Sequence, residues 1–214
     1  MDSALLTSAI ELYTKDARFC QVDPSSSHLQ VIYDLKEKME TCNYLEIGSL
    51  FGFSMVHSIL STTPGINIGI DLFADSGLIS AGSFNNDYRP DISERKLSKD
   101  KTTNLVQQCN VHNHHFEFFQ GNSQHTHIYE KVTTKCPKFD LMFIDGDHSY
   151  EGVKNDFEKW TPHLKVGGYV LFDDQDYGGI RQLSLELQET NGAFQWIETP
   201  EWSPKMPGYF RKLK

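Results

Sequence analysis

The stretch Asn43-Tyr44-Leu45-Glu46-Ile47-Gly48-Ser49-Leu50-Phe51-Gly52-Phe53-Ser54 decides the fold, because an apolar run ends in an acidic residue and then in two glycines four positions apart. It reads as a strand that turns sharply into a helix. Glycine takes positive φ and lets a ligand approach the main chain, so Gly48 and Gly52 mark where a small molecule can lie against the backbone. A dinucleotide fingerprint sets three glycines in a G-x-G-x-x-G row so that a diphosphate rests on the helix N-terminus. Here Ser49, Leu50 and Phe51 fill the turn, and their bulk suits a ligand without a diphosphate.

Working outward, Asn67-Ile68-Gly69-Ile70-Asp71 is a short apolar strand closed by a carboxylate about 20 residues beyond the turn, the spacing of a ribose-binding acid in a nucleoside-binding βαβ unit. Asp71 is expected to accept both ribose hydroxyls. Apolar strands at 43–48, 67–73, 116–120, 139–145 and 168–173 alternate with helix-length segments, which signals an α/β fold with a parallel sheet. Residues 3–18 and 27–41 carry helical spacing, as in Leu29, Ile32, Leu35 and Met39, with Ser25, Ser26 and Ser27 as N-cap hydroxyls. Residues 1–41 thus form an N-terminal helical cap. Between 74 and 100, Gly, Ser, Asn and Asp dominate around Tyr88-Arg89-Pro90, and a long loop placed after the ribose strand reads as a lid over the ligand. Residues 195–199 and 208–213 flank a Pro-rich loop and read as a final antiparallel hairpin.

Composition narrows the classes. At 214 residues the chain fits one domain, residues 1–214, with a sizeable core. Twenty basic residues against 29 acidic give a net charge of −9, which lacks the clustered Lys and Arg that nucleic acid requires. Cys20, Cys42, Cys109 and Cys136 are widely separated, without C-x-x-C spacing, and the first residues lack the basic-then-apolar pattern of a signal peptide. The expectation is a cytoplasmic protein with free thiols and, without any apolar run near ~20 residues, no membrane span. His112, His114 and His115 near Cys109 match no zinc spacing and read as an exposed connection. Whether the chain is a monomer or a homo-oligomer is open at this level.

The chemistry concentrates in Asp145-Gly146-Asp147-His148-Ser149-Tyr150-Glu151-Gly152-Val153 and in Gly167-Gly168-Tyr169-Val170-Leu171-Phe172-Asp173-Asp174. Ligands of open α/β sheets bind at the carboxyl ends of the strands, so Asp145, Asp147, Asp173 and Asp174 can converge there. Crowded carboxylates repel and raise one another's pKa. A hard cation such as Mg²⁺, which takes carboxylate and water oxygens, relieves that repulsion and leaves positions for substrate oxygens. The competing reading makes Asp147 a cap for the following helix.

The first stretch resembles the opening motif of the class I S-adenosylmethionine-dependent methyltransferases. The two acidic runs look like the metal-dependent small-molecule O-methyltransferases, the macrocin-type branch that acts on sugars. The likeness runs from about Tyr44 to Asp176. It implies a Rossmann-like fold with a mostly parallel seven-stranded sheet, helices on both faces and the C-terminal hairpin. It implies that S-adenosylmethionine lies along Glu46, Gly48, Ser49, Gly52, Ser54, Asp71 and Asp145, with its adenine beside Asn122, Ser123 and Gln124. The family's metal site maps onto Asp145, Asp173 and Asp174, and its general base onto Asp147 or His148, depending on the member. His148 suits neutral pH better, since imidazole titrates near ~6.5. The expected reaction is methyl transfer to a hydroxyl of a small acceptor, a sugar or glycoside, with Mg²⁺. The alternatives are a nicotinamide-dependent oxidoreductase, disfavoured by the missing third glycine, and a non-catalytic binding protein, disfavoured by the acidic cluster. Tyr88 and Trp202 are candidates to shape the acceptor pocket.

Overall fold

The computed structural model describes residues 29–73, 98–190, 192–199 and 206–214. Residues 1–28, most of the expected lid and Trp202 lie outside this set. The described elements, in chain order, are α1 (Gln30–Lys36), β1 (Tyr44–Ile47), α2 (Phe53–Ile59), β2 (Ile66–Asp71), α3 (Lys99–Cys109), β3 (His115–Gln120) and α4 (Thr126–Lys135). They continue with β4 (Phe139–Ile144), α5 (Tyr150–Trp160), a 3-10 turn (Thr161–His163), β5 (Leu164–Phe172), α6 (Gly178–Glu189), β6 (Phe194–Glu198) and β7 (Gly208–Lys212).

The seven strands form one sheet in the order β3-β2-β1-β4-β5-β7-β6. The first five are parallel, β7 pairs antiparallel with β5, and β6 and β7 make the closing hairpin. The order reverses between β1 and β4, which is the switch point where such sheets open a crevice at their carboxyl edge.

Side chains alternate across a strand, and the core splits accordingly. Tyr44, Leu141, Phe143 and Leu171 join Val31 and Ile32 of α1, Met55 and Val56 of α2 and Val106 of α3 in one cluster. Leu45, Ile47, Met142, Ile144, Val170 and Phe172 join Ile128 and Val132 of α4, Val153 and Phe157 of α5 and Ile180 of α6 in the other. Among the described residues no helix is long and apolar enough to cross a membrane.

Two helix boundaries differ from the sequence reading. The helix expected over 27–41 ends at Lys36, where Lys38 N and Met39 N turn back to the carbonyls of Leu35 and Lys36 in a tightened last turn. The last residues of the expected lid belong to α3, whose N-cap Ser98 accepts from Lys101 N at 3.2 Å.

Candidate active site

The turn after β1 is built from left-handed residues: Gly48 (φ +85°), Leu50 (φ +43°) and Gly52 (φ +77°). This curl points the amides of Ser49 and Leu50 at Asp71 Oδ2, each at 2.8 Å, while Asp71 Oδ1 accepts from Phe73 N at 2.7 Å. Successive amides in such a curl form a nest for an anion. The protein's own carboxylate fills it. Burial raises the Asp71 pKa, and these three backbone hydrogen bonds oppose the rise. Asp71 is therefore the anchor of the turn, and any ribose contact adds to that work.

Gly48 also carries a packing constraint. A Cβ there would collide with the carbonyl of Asp145, because the turn after β1 and the loop after β4 lie backbone to backbone. Glu46 is fully buried; its Oε2 accepts from Tyr44 Oη at 3.0 Å and from Ser54 Oγ at 2.8 Å. Burial pushes its carboxyl up to about 7, against hydrogen bonding from Ser49, Ser54 and Tyr44. The Ser49 hydroxyl faces the same buried carboxylate.

The loop after β3 is tightly ordered. Asn122 Oδ1 accepts from Gln124 N at 2.8 Å, and Ser123 Oγ donates to Asp156 Oδ1 at 2.6 Å. Gln124 reaches α5 through Nε2 to Gly152 O at 3.4 Å, and its carbonyl accepts from Lys159 Nζ at 2.7 Å.

At the ends of β4 and β5 the acids meet a histidine. His148 Nε2 lies 3.1 Å from Asp145 Oδ1, and Nδ1 lies 3.8 Å from Asp174 Oδ2; the three side chains are 29%, 26% and 27% exposed. Burial first, then the charge of Asp173, hold the Asp145 carboxyl above the ordinary carboxylate range, and His148 opposes this. Burial pulls the His148 pKa down, but the hydrogen bond and charge of Asp145, with Asp174 and Asp173 behind it, raise it overall. Asp173 Oδ1 accepts from Asp174 N at 2.9 Å, and Asp174 sits at φ +46°. A non-glycine held there is a strained backbone of the kind that collects at functional sites.

Asp147 is placed otherwise. Its Oδ1 accepts from Ser149 N at 2.9 Å, and its side chain packs where a Cβ on Gly152 would stand. That is a turn leading into α5 and not its cap, which is Ser149, whose Oγ accepts from Gly152 N at 3.1 Å. Among the described residues no three His, Cys, Asp or Glu side chains are arranged to hold a metal ion. The donor chemistry of Asp145, Asp173 and Asp174 matches a hard cation, but His148 takes an Asp145 oxygen that such an ion would use.

Sequence reading missed two residues. Tyr177, 41% exposed, sets its ring 5.7 Å from His148 in an edge-on contact. It follows the acidic run directly, and α6 is pressed so close behind it that a Cβ on Gly179 would strike the backbone of His148 to Tyr150. Asp156 lies three residues beyond the acidic run ending at Val153; its signal is a carboxylate on the apolar stripe of α5.

This sheet order, with a glycine turn after β1 and an acidic, histidine-bearing edge on β4 and β5, defines a class I methyltransferase fold. The methyltransferase-domain family model matches residues 45–175, and the chain belongs to that family. An uncharacterized protein, R132, of Acanthamoeba polyphaga mimivirus is 29% identical over 182 residues, covering 83% of this chain and 71% of that one. The O-methyltransferase TomG from Streptomyces achromogenes, solved with S-adenosylmethionine, superposes with TM-score 0.65 at 14% identity over 100% of this chain and 92% of that one. CalS11, a TDP-rhamnose 3'-O-methyltransferase of calicheamicin biosynthesis, gives TM-score 0.56 at 16% identity over 98% and 94%. At these identities the structural likeness carries the fold.

Proposed function

We propose that this chain transfers a methyl group from S-adenosylmethionine to a hydroxyl of a small-molecule acceptor, a sugar or glycoside, with a divalent cation such as Mg²⁺ held by Asp145, Asp173 and Asp174. One observation carries the choice of cofactor. The Ser49 and Leu50 amides that a diphosphate would need are consumed by Asp71, which counts against a nicotinamide dinucleotide and for a ligand without phosphates. The two core clusters support helices on both faces of the sheet.

In this reading the nucleoside lies between Asp71 and the Asn122-Ser123-Gln124 loop, and the acceptor enters over His148. When bound, S-adenosylmethionine would supply an already activated methyl group, and a cation held by Asp145, Asp173 and Asp174 would supply Lewis acidity to the acceptor hydroxyl. In the tautomer that carries its proton on Nε2, His148 donates to Asp145 across the 3.1 Å contact, and the lone pair on Nδ1 would take the hydroxyl proton. Asp147 is the weaker candidate for the base, since it is bound to Ser149 N. Tyr177 offers an aromatic face to an acceptor ring, and the sugar substrate of the CalS11 fold neighbour favours the same class.

The test is transfer of labelled methyl from S-adenosylmethionine to a panel of sugars and nucleotide sugars, with and without EDTA. Transfer that EDTA stops and Mg²⁺ restores is expected. Full activity in the chelator would make the acids structural.

A further inference from the structure

Helix α5 needs an apolar inner face, and Val153, Phe157 and Trp160 supply it. Asp156 lies on that face, 1% exposed, where the stripe calls for a hydrocarbon. A buried carboxylate is costly unless it is hydrogen-bonded. Its Oδ1 accepts from Ser123 Oγ at 2.6 Å, and its Oδ2 lies 3.4 Å from where a Gly146 Cβ would stand. The side chain thus sits under two loops at once: the 121–125 loop after β3 and the Asp145-Gly146-Asp147 loop after β4. From the same helix Lys159 Nζ holds the Gln124 carbonyl, and the Gly152 carbonyl holds Gln124 Nε2. Three fastenings on one loop are more than an ordinary connection requires.

We infer that Asp156 is a positioning residue for the cofactor: by holding the Ser123 hydroxyl it fixes the loop against which the adenosine end of S-adenosylmethionine is bound. The inference rests on the proposed function, because it assumes that this loop borders the nucleoside. Asp156 itself touches no ligand. Its burial, with its pKa pushed up by burial to about 6 against the Ser123 hydrogen bond, reflects what the structure invests in this one contact.

The experiment is calorimetric titration of S-adenosylhomocysteine into the wild-type chain, Asp156→Ala, Asp156→Asn, Ser123→Ala and the Asp156→Ala/Ser123→Ala double variant, with steady-state methyl transfer alongside. Asp156→Ala should weaken binding about tenfold or more, the loss of a hydrogen bond to a charged group, and raise KM for S-adenosylmethionine with kcat at saturation nearly unchanged. Asp156→Asn, whose amide oxygen can still accept from Ser123, should restore most of the affinity. The double variant should bind no worse than the weaker single one, because both remove the same contact. Unchanged affinity in Asp156→Ala overturns the inference, as do losses that multiply in the double variant. If Asp156→Ala does not fold, Ser123→Ala and Asp156→Asn decide the matter: no loss in the first, or a full loss in the second, overturns it. A wild-type chain that does not bind S-adenosylhomocysteine overturns the proposed function and this inference with it.

Discussion

Replacing Asp71 with Asn probes the turn that defines the site. The Asp71 carboxylate serves three backbone donors, Ser49 N and Leu50 N on one oxygen and Phe73 N on the other. An amide has one accepting oxygen. Kept on the Ser49 and Leu50 side, it sets its own NH₂ against the Phe73 N–H; flipped, it abandons two donors instead of one. At least one hydrogen bond to a charged group is lost, worth roughly 1.5–3 kcal/mol, and the survivors weaken with a neutral acceptor. Removal of a buried charge offsets part of this, since burial raises the Asp71 pKa. A net loss of about 2 kcal/mol should lower the melting temperature by roughly 4–8 °C in a chain of this size. Phe73 should feel it most, because at φ +42° it is a left-handed non-glycine packed edge-on against Phe118 at 5.5 Å. Circular dichroism melts at neutral pH measure the first effect, and calorimetry with S-adenosylhomocysteine should show affinity lower by about 1–3 kcal/mol. A melting temperature within a degree of wild type, with unchanged affinity, would refute the view that Asp71 anchors both turn and nucleoside.

Three further outcomes are expected. His148→Ala should lower turnover by ~10²–10⁴-fold with cofactor binding nearly intact; a larger loss from Asp147→Asn, with His148→Ala almost silent, would move the base to Asp147. Gly48→Ala should destabilise the fold itself, through the Asp145 carbonyl and the positive φ, so a well-folded variant that merely fails to bind cofactor would contradict the packing seen here. Lys36, whose Nζ donates to Ser58 and Asn67, has its pKa pushed down by burial from 10.5 to about 8. The unfolded chain therefore binds the proton more readily, and stability should rise as pH climbs from about 8 toward 10.5. Lys36→Met should remove that rise in urea melts, whereas an unchanged pH slope would mean that Lys36 is hydrated.

The strands were legible because each carries a continuous apolar run closed by a polar residue: Tyr44 to Ile47, Ile66 to Asp71 and Phe139 to Ile144 match their sequence readings to within a residue or two. β5 starts earlier than expected, at Leu164, since Gly167 and Gly168 look like a turn but sit where its register with β4 shifts. The acidic edge was legible for the same reason as the strands. Acids directly after buried runs must come to the carboxyl edge. What sequence could not carry is which partner each acid takes. Asp71 meets amides 21 and 22 positions away, and Asp156 meets a hydroxyl 33 positions away; these are products of packing that no local pattern encodes. Gly48 adds a constraint of the same kind, since the backbone a Cβ there would strike belongs to the loop after β4, almost a hundred positions away.

The central claim is that the crevice between β1 and β4 binds the S-adenosyl group and not a dinucleotide. Isothermal titration of the purified chain with S-adenosylhomocysteine and, separately, with NADH tests it most directly. The account predicts saturable one-to-one binding of S-adenosylhomocysteine and no heat of binding from NADH. Binding of NADH without binding of S-adenosylhomocysteine would contradict it.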